Sequence, residues 1–298
     1  MSEAPEFAID RHRVRQAFDR AAADYDRVAV LQREVGVRLL ERLCYVRLQP
    51  DLAIDIGAGT GQISRTLTQR YKKVRVVAVD IAPNMLRIAR RRAGPLVRLR
   101  QRQVFVCGDA ARLPLPGRSA DMILSNLTLQ WCDDLDRVFA EFGRVLRPGG
   151  LVLFSTFGPD TLKELRESWS AADRAVHVGA FIDMHDVGDA LLRAGFSDPV
   201  MDAERFTLTY PDAYGVMREL KALGAHNATA GRPRSLTGKG RLRAMLRAYE
   251  GHRRDGVLPA TYEVVYGLAW APAADNIREG GVVKVPLSVL KRPGEKKS

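Results

Sequence analysis

At 298 residues the chain is long enough for one large α/β domain with an insertion and a substantial apolar core. Apolar residues make up 46% and charged residues 28%, which excludes intrinsic disorder, a disulfide scaffold and a collagen-like fibre. The net charge of +12 favours encounter with an acidic macromolecule or an anionic substrate.

The amino terminus, MSEAPEFAID, lacks the basic flank and apolar stretch of a secretory signal, and no apolar run reaches the roughly 18 residues of a spanning helix. A cytoplasmic protein without membrane contact is expected. Residues 1–50 read as helical: Val14, Phe18, Ala21, Tyr25 and Val28 recur at helical spacing, followed by Leu31, Val35, Leu39 and Leu43. From Leu52 the period changes to short apolar runs that end in polar residues, LAIDIG, VRVVAVD, QVFVCGD, ADMILSN and LVLFSTF, separated by helical stretches. That pattern predicts a parallel sheet buried on both faces, a doubly wound Rossmann-like α/β fold. Pro83 suits the first turn of the helix after Asp80, Gly94 its stop, and LDRVFAEFGRVL ends at Pro148-Gly149-Gly150. FTLTY and ATYEVVYGLAWAP (260–272) are predicted as the sixth and seventh strands, completing a seven-stranded, mostly parallel sheet.

The basic segment 211–259 between those two strands is too long for a structureless loop and predicts an inserted helical lid over the carboxyl edge of the sheet. The tail 273–298 has one apolar run and a basic end, the last few residues being expected to be disordered. Cys44, Cys107 and Cys132 fit neither a bridge framework nor a CxxC metal site and read as buried, reduced small hydrophobes. No metal site is expected.

Asp55-Ile56-Gly57-Ala58-Gly59-Thr60-Gly61 follows the first strand directly and opens a helix. Glycines there let backbone pass close to a ligand, with the first helical amides facing the crevice. Gln62 occupies the sixth position of GxGxxG, which disfavours a dinucleotide, and the absence of GK[ST] removes a P-loop. Taken singly, Asp55 or Asp80 reads more readily as a helix cap than as a ligand-binding group.

DxGxGxG followed by an acidic residue at the end of the second strand resembles the class I S-adenosylmethionine-dependent methyltransferases. The resemblance implies S-adenosyl-L-methionine as cofactor, with Asp55, Gly57, Gly59 and Gly61 forming the turn. Asp80 and Ile81 would face the ribose, Asp109 and Ala110 the adenine, and Asn126 the methionine end. Farther afield, AFDRAAADYDRVAVLQREV, SNLTLQWCDDL, FSTFGPDTLKELRESW and MRELKALGAHNATAGRPRSLTGKGRL are similar to the biotin-synthesis methyltransferases that esterify malonyl-acyl carrier protein. The match covers nearly the whole chain and departs most in the tail after Pro272. It implies an N-terminal helical region (1–50) covering the cofactor site, a methyltransferase core (51–210), the lid (211–259), a final core strand (260–272) and the tail.

The implied reaction moves a methyl group from sulfur to the free carboxylate of a malonyl thioester on an acidic acyl carrier protein, the ester masking a charge that an apolar elongation pocket would reject. That carboxylate, with a pKa of roughly 4, is ionised at neutral pH and needs no general base. His12, His177, His185, His226 and His252 accordingly show no triad or metal spacing and read as structural or solvated. Orientation, worth about 7 to 11 kcal/mol, is the expected source of rate. By resemblance Lys221, Arg232 and Tyr25 hold the acceptor and Trp131 walls its pocket, with Tyr25 also able to cover the sulfonium by its ring face. A solvated face for Lys221, and core packing for Tyr25 and Trp131, are the competing readings. Arg232, Arg234, Lys239, Arg241, Arg243 and Arg247 predict a carrier-docking patch on the lid, whereas Arg87, Arg90, Arg91, Arg92, Arg98, Arg100 and Arg102 read as a solvated face.

Two other functions share parts of this pattern. A nucleic-acid methyltransferase would also be basic, but Asn126-Leu127-Thr128-Leu129 stands where base-amine enzymes carry a DPPY-like tetrapeptide, and 7% aromatic residues offers no stacking platform, so no nucleic-acid partner is expected. The respiratory complex I assembly factor that hydroxylates an arginine resembles PATYEVVYGLAW and the basic tail, but less of the 231–241 and 157–166 segments.

Overall fold

The computed structural model describes residues 8–225, 227–229, 231–232, 237–272, 278–279 and 282–283. His226, Arg234, the side chain of Arg98 and the last residues of the tail, with the expectations attached to them, lie outside the described residues.

Seven strands, β1 (Leu52–Ile56), β2 (Arg75–Asp80), β3 (Gln103–Cys107), β4 (Ala120–Asn126), β5 (Leu146–Phe157), β6 (Ser197–Tyr210) and β7 (Leu258–Trp270), form one sheet in the order β3-β2-β1-β4-β5-β7-β6. The first five are parallel, and β7 runs antiparallel between β5 and β6. The sixth strand starts well before the FTLTY motif because Val200 through Phe206 pair with β7 all along the edge. Its alternating exposed and half-buried residues hide the strand from a search for apolar runs.

The helices are α1 (Arg11–Ala21), α2 (Tyr25–Val28), α3 (Val30–Glu41), α4 (Gln62–Arg70), α5 (Pro83–Arg92), α6 (Pro95–Leu99), α7 (Leu135–Val145), α8 (Lys163–Ser170), α9 (Met184–Arg193), α10 (Ala213–Ala222) and α11 (Lys239–Glu250). Asp10, Asp134, Asp183 and Asp212 cap α1, α7, α9 and α10 through their carboxylates, and Pro83 opens α5. Successive strand residues point to opposite faces, so the sheet has two cores. Met122 and Leu151 pack with Leu39 of α3, Leu67 of α4 and Tyr249 of α11. Ile123 and Val152 pack with Phe139 and Phe142 of α7 and Leu191 of α9. Each fully buried aliphatic or aromatic side chain contributes on the order of 1.5 to 3 kcal/mol.

The run of helical spacing from Val14 to Val28 breaks into two helices at residues 22–24, which turns Tyr25 inward beneath α1. Asp19 of α1 accepts from Asn84 N at the start of α5 (2.7 Å). Asp26 of α2 accepts from Thr60 Oγ1 (2.7 Å) and pairs with Arg92. Arg42, just beyond α3, pairs with Asp202 and Glu204 of β6 and lies 3.6 Å above the Tyr266 ring. The amino-terminal helices are thus tied both to the β1–α4 turn and to the far edge of the sheet. The inserted segment divides: α10 lies against α2 and β6, while α11 packs on α8 over one sheet face.

The cysteine expectation fails. Cys44 and Cys107 are exposed and Cys132 is partly buried: Cys44 lies in the short turn after α3, Cys107 is the last residue of the β3 strand and Cys132 stands in the loop before α7.

The β1–α4 turn sits where β1 pairs with β2 on one side and β4 on the other, the point at which strand order reverses and a crevice opens. Gly57 has φ +69°, and a Cβ there would stand 1.9 Å from Thr128 Oγ1; Gly59 has φ +52°, and a Cβ there would meet only Gly57 O, at an unstrained 4.0 Å. Gly57→Ala is therefore expected to lose about 3 kcal/mol or more through overpacking. Gly59→Ala should lose only the roughly 1 to 2 kcal/mol of left-handed backbone strain. Denaturant unfolding of the two variants measures the difference; equal losses would contradict this account of the turn.

Candidate functional site

A cavity opens at the carboxyl ends of β1, β2 and β4, roofed by α1 and α2. Its floor is built from the sequence motifs: Gly57 and Gly59, Asp80 and Ile81, Asp109 and Ala110, and Asn126 all line it, and so do Tyr25 and Trp131. Four strand ends expected to meet do meet.

Two residues of the motif stand behind the wall. Asp55, 1% exposed, accepts from Ser64 Oγ at 2.6 Å and braces β1 against α4. Gly61, with φ +81°, lets the turn pass Ala89 of α5, since a Cβ would fall 2.9 Å from the alanine methyl. They shape the turn without touching the cavity.

Asp80 is the buried charge of the site. One carboxylate oxygen accepts from Gly59 N (2.8 Å) and the other from Ala82 N (2.8 Å), so a single group orders the turns after β1 and β2. Burial pushes its pKa up from the ordinary value to about 6, against the lowering by these two amides, and Asp55 is likewise raised by burial to about 6. For a carboxyl group this sign means that the folded form holds a proton that the unfolded chain has already lost between about pH 4 and 6. The contribution favours the fold at low pH and is lost as pH rises through 6. Above that pH the site carries a buried carboxylate held by backbone amides. Tyr25, beneath α1, has its phenol pushed well above its usual range by burial first and the Asp80 charge second.

Asp109, the acid expected beside the adenine, is already paired. Asp109 accepts from Ala111 N (2.9 Å) and forms an ion pair with Arg11 of α1 (2.8 Å), whose Nε also approaches Asp133 at 3.8 Å. Ile9 N donates to the same Asp133. Arg11 is a cavity residue that sequence reading missed, one arginine among many in a basic helix. Cys132 also lines this end, its thiol pushed up to about 12 by burial and the nearby Asp109 charge.

Asn126 is held rigidly: its Nδ2 donates to Gln32 O (3.0 Å) and its Oδ1 accepts from Ser155 Oγ (2.8 Å). Beside it, Leu127 takes a left-handed φ of 49°, a strained conformation for a branched side chain at a cavity wall. Gln32 lines the cavity from α3, and its Oε1 is buried with no hydrogen-bond partner among the described residues. An orphaned buried acceptor is costly unless a ligand donor meets it. Its position beside the apolar stripe of Leu31, Val35 and Leu39 gave no signal in the sequence.

A second chamber adjoins the first under α10. Gln32, Gln130, Trp131, Phe157, Leu223 and Ala225 line both. Beyond them the second chamber is walled by Trp169 of α8, Phe181, Leu220 and Tyr262, and Lys221 stands at its rim. His177 lines it too, stacked on Trp169 (ring centroids 3.8 Å apart) and hydrogen-bonded to Asp173 (2.8 Å). Lys221 therefore sits at the second chamber, apart from the cofactor-type cavity. Arg232 lines neither: its guanidinium donates to Thr229 O (2.7 Å) and approaches Asp10 (3.9 Å), tying the segment after α10 to the start of α1. No cluster of metal-ligating side chains occurs among the described residues, and none of their helices is long and apolar enough to cross a membrane.

Residues 54–154 match the family described as a methyltransferase domain. A putative methyltransferase from Bacillus halodurans shares the fold, with a TM-score of 0.55 at 17% identity over 80% of this chain and 99% of that one. The malonyl-[acyl-carrier protein] O-methyltransferase of Gallionella capsiferriformans is 52% identical over 280 residues, 93% of this chain and 97% of the relative. That of Laribacter hongkongensis is 54% identical over 278 residues, 92% and 93% of the two chains. These relatives favour neither the nucleic-acid methyltransferase nor the arginine hydroxylase. The chain belongs to the malonyl-[acyl-carrier protein] O-methyltransferases.

Proposed function

We infer that this chain transfers a methyl group from S-adenosylmethionine to the free carboxylate of a malonyl group held as a thioester on an acidic acyl carrier protein, in the cytoplasm, and so prepares a neutral primer for pimeloyl synthesis on the way to biotin. The observation that carries this reading is the pair of contiguous chambers, one floored by the glycine turn and Asp80, the other walled by Trp169, Phe181, Leu220 and Tyr262, joined by six shared wall residues.

The first chamber suits the cofactor. Asp80 accepts from the ribose hydroxyls, which replace solvent at a carboxylate that burial disfavours. Gly59 leaves room for the adenosine to approach the backbone, and Asp109 and Ala110 border the adenine. Asn126 and the orphaned Gln32 Oε1 meet the amino-acid end, where an ammonium offers three donors. Tyr25 and Trp131, linked through Phe18 by edge-on ring contacts, close the sulfur end with aromatic faces suited to a cation. S-adenosylmethionine supplies a methyl group on positively charged sulfur.

The shared walls carry no side chain that titrates near neutrality: Gln32, Gln130, Trp131, Phe157, Leu223 and Ala225. A proton relay is unnecessary, because the acceptor carboxylate is ionised when it arrives. The residues at this junction orient and exclude water. Gln130 is itself held by donation to Leu127 O (2.7 Å), and Phe157 packs edge-on to Phe181, so the passage is rigid on both sides. Lys221 offers the acceptor one cation at the rim without enclosing its carboxylate on every side, which would blunt its nucleophilicity. Helix α10 covers the second chamber through Met217, Leu220 and Lys221, while α11 packs on α8 outside it.

Intact mass spectrometry of malonyl-acyl carrier protein after incubation with enzyme and S-adenosylmethionine is expected to show the gain of one methyl group. An unchanged mass with folded enzyme overturns the assignment. Asp80→Asn should weaken cofactor binding at least tenfold while preserving the fold, because the amide oxygen keeps one backbone donor. Lys221→Ala should raise the acceptor KM about tenfold and leave cofactor Kd within twofold. Calorimetry with the cofactor and steady-state kinetics with the carrier separate the two, and a Lys221→Ala variant with unaltered acceptor kinetics removes that residue from the acceptor site.

A further inference from the structure

Both chambers open toward one surface groove, and the groove is cationic. Between α1, α2 and α10 it is lined by Arg13, Arg20, Arg27, Arg218 and Lys221, with Asp24 the one acid among its described lining residues. Arg13 and Arg20 stand two turns apart on α1, Asp24 falls in the break between the helices and Arg27 is on α2, and all four line the groove. Arg27 reaches Asp24 at 3.6 Å and Arg218 reaches Asp212 at 3.7 Å, both pairs largely in solvent, where they hold the charges loosely. Arg13, Arg20 and Lys221 are exposed and make no ion pair among the described residues.

The groove is a built junction of two elements. Gly224, at φ +75°, lets the chain after α10 lie against α1; a Cβ there would fall 2.9 Å from Ala17 O. Asp10 N donates to Ala228 O (2.8 Å), and Ile9 bridges Thr229. The same groove shares Val14 and Trp131 with the cofactor chamber, and Lys221, Asn227 and Ala228 with the acceptor chamber. A thioester reaching the acceptor chamber from outside passes this threshold. By contrast, no residue of α11 lines either chamber or the groove, although Arg243 and Arg247 are exposed there. The α11 part of the docking patch expected on the lid is displaced from them.

We propose that the α1–α10 groove is the docking surface for the carrier protein, its arginines facing an acidic helix of the carrier while the arm that delivers the malonyl group passes inward beside Lys221. This rests on the function proposed above. Charge complementarity sets the orientation of such an encounter and accelerates it, and the contribution is screened by salt.

The test uses the full-length enzyme, a double reversal in the groove, Arg13→Glu with Arg20→Glu, and a matched reversal on α11, Arg243→Glu with Arg247→Glu. Kd for malonyl-carrier protein is measured by fluorescence anisotropy at low and raised salt, alongside cofactor Kd and thermal unfolding. The groove variant is expected to bind the carrier at least tenfold more weakly with a flatter salt dependence, while its cofactor Kd and unfolding midpoint stay put; the α11 variant should bind within twofold of the parent. Arg13→Gln with Arg20→Gln, expected to lose about threefold, covers the case in which reversal disturbs folding. Unchanged carrier affinity in the groove variants, or a loss confined to the α11 variant, overturns the proposal while methyl transfer by the parent leaves the function standing. A parent enzyme that methylates no malonyl thioester overturns the function, and the groove's role falls with it.

Discussion

One buried carboxylate organises the crevice. Asp80 closes β2 in the interior of the sheet and accepts from the backbone at Gly59 and at Ala82, so the turn after β1 and the turn after β2 are fixed by the same two oxygens. The fold bears this at a cost of about 3 kcal/mol, the value of a shift from the ordinary carboxylate range to about 6. Nothing in the packing of the two cores requires a carboxylate there. A ligand rich in hydroxyl donors that also carries positive charge offsets the cost, and S-adenosylmethionine is such a ligand.

The rest of the molecule serves that crevice. The amino-terminal helices are clamped from both sides, by Asp26 on Thr60 and Arg92 and by Arg42 on Asp202, Glu204 and Tyr266, and the clamp holds Tyr25 over the cofactor chamber. Because the two chambers meet at neutral side chains, the chemistry proposed for them is positional: an oxygen that is already an anion is brought to a carbon that already carries a good leaving group. Exclusion of water strengthens the attraction between that anion and the sulfonium. The same economy explains a basic surface at the entrance, since the substrate arrives on a macromolecule and must be oriented before its arm enters.

The parallel strands and the motif turn were legible in the sequence because each is local: Val- and Ile-rich runs buried on both faces announce themselves, and Gly57 through Gly61 follow one of them directly. Asp80, Asp109 and Asn126 were legible for the same reason, each ending such a run. The half-exposed β6 was only partly visible, as its inward and outward residues alternate without a clear apolar run. Arg11, Gln32 and His177 gave no signal, because their roles depend on helices folding back over the sheet from far away in sequence. Arg232 and Lys221, equivalent by composition, are separated only by tertiary structure: one ties the chain after α10 to α1, and the other stands at the second chamber.

The most direct test of this account is the number of protons released when S-adenosylmethionine binds at pH 6, obtained by calorimetry in buffers of different ionisation enthalpy. Free Asp80, with a pKa of about 6, is near half protonation at that pH, and hydroxyl donors and a neighbouring sulfonium favour its ionised form. Binding should therefore release a substantial fraction of one proton from the native enzyme and markedly less from Asp80→Asn. Equal release from the two proteins, or proton uptake by the native enzyme, would contradict the claim that this carboxylate receives the cofactor.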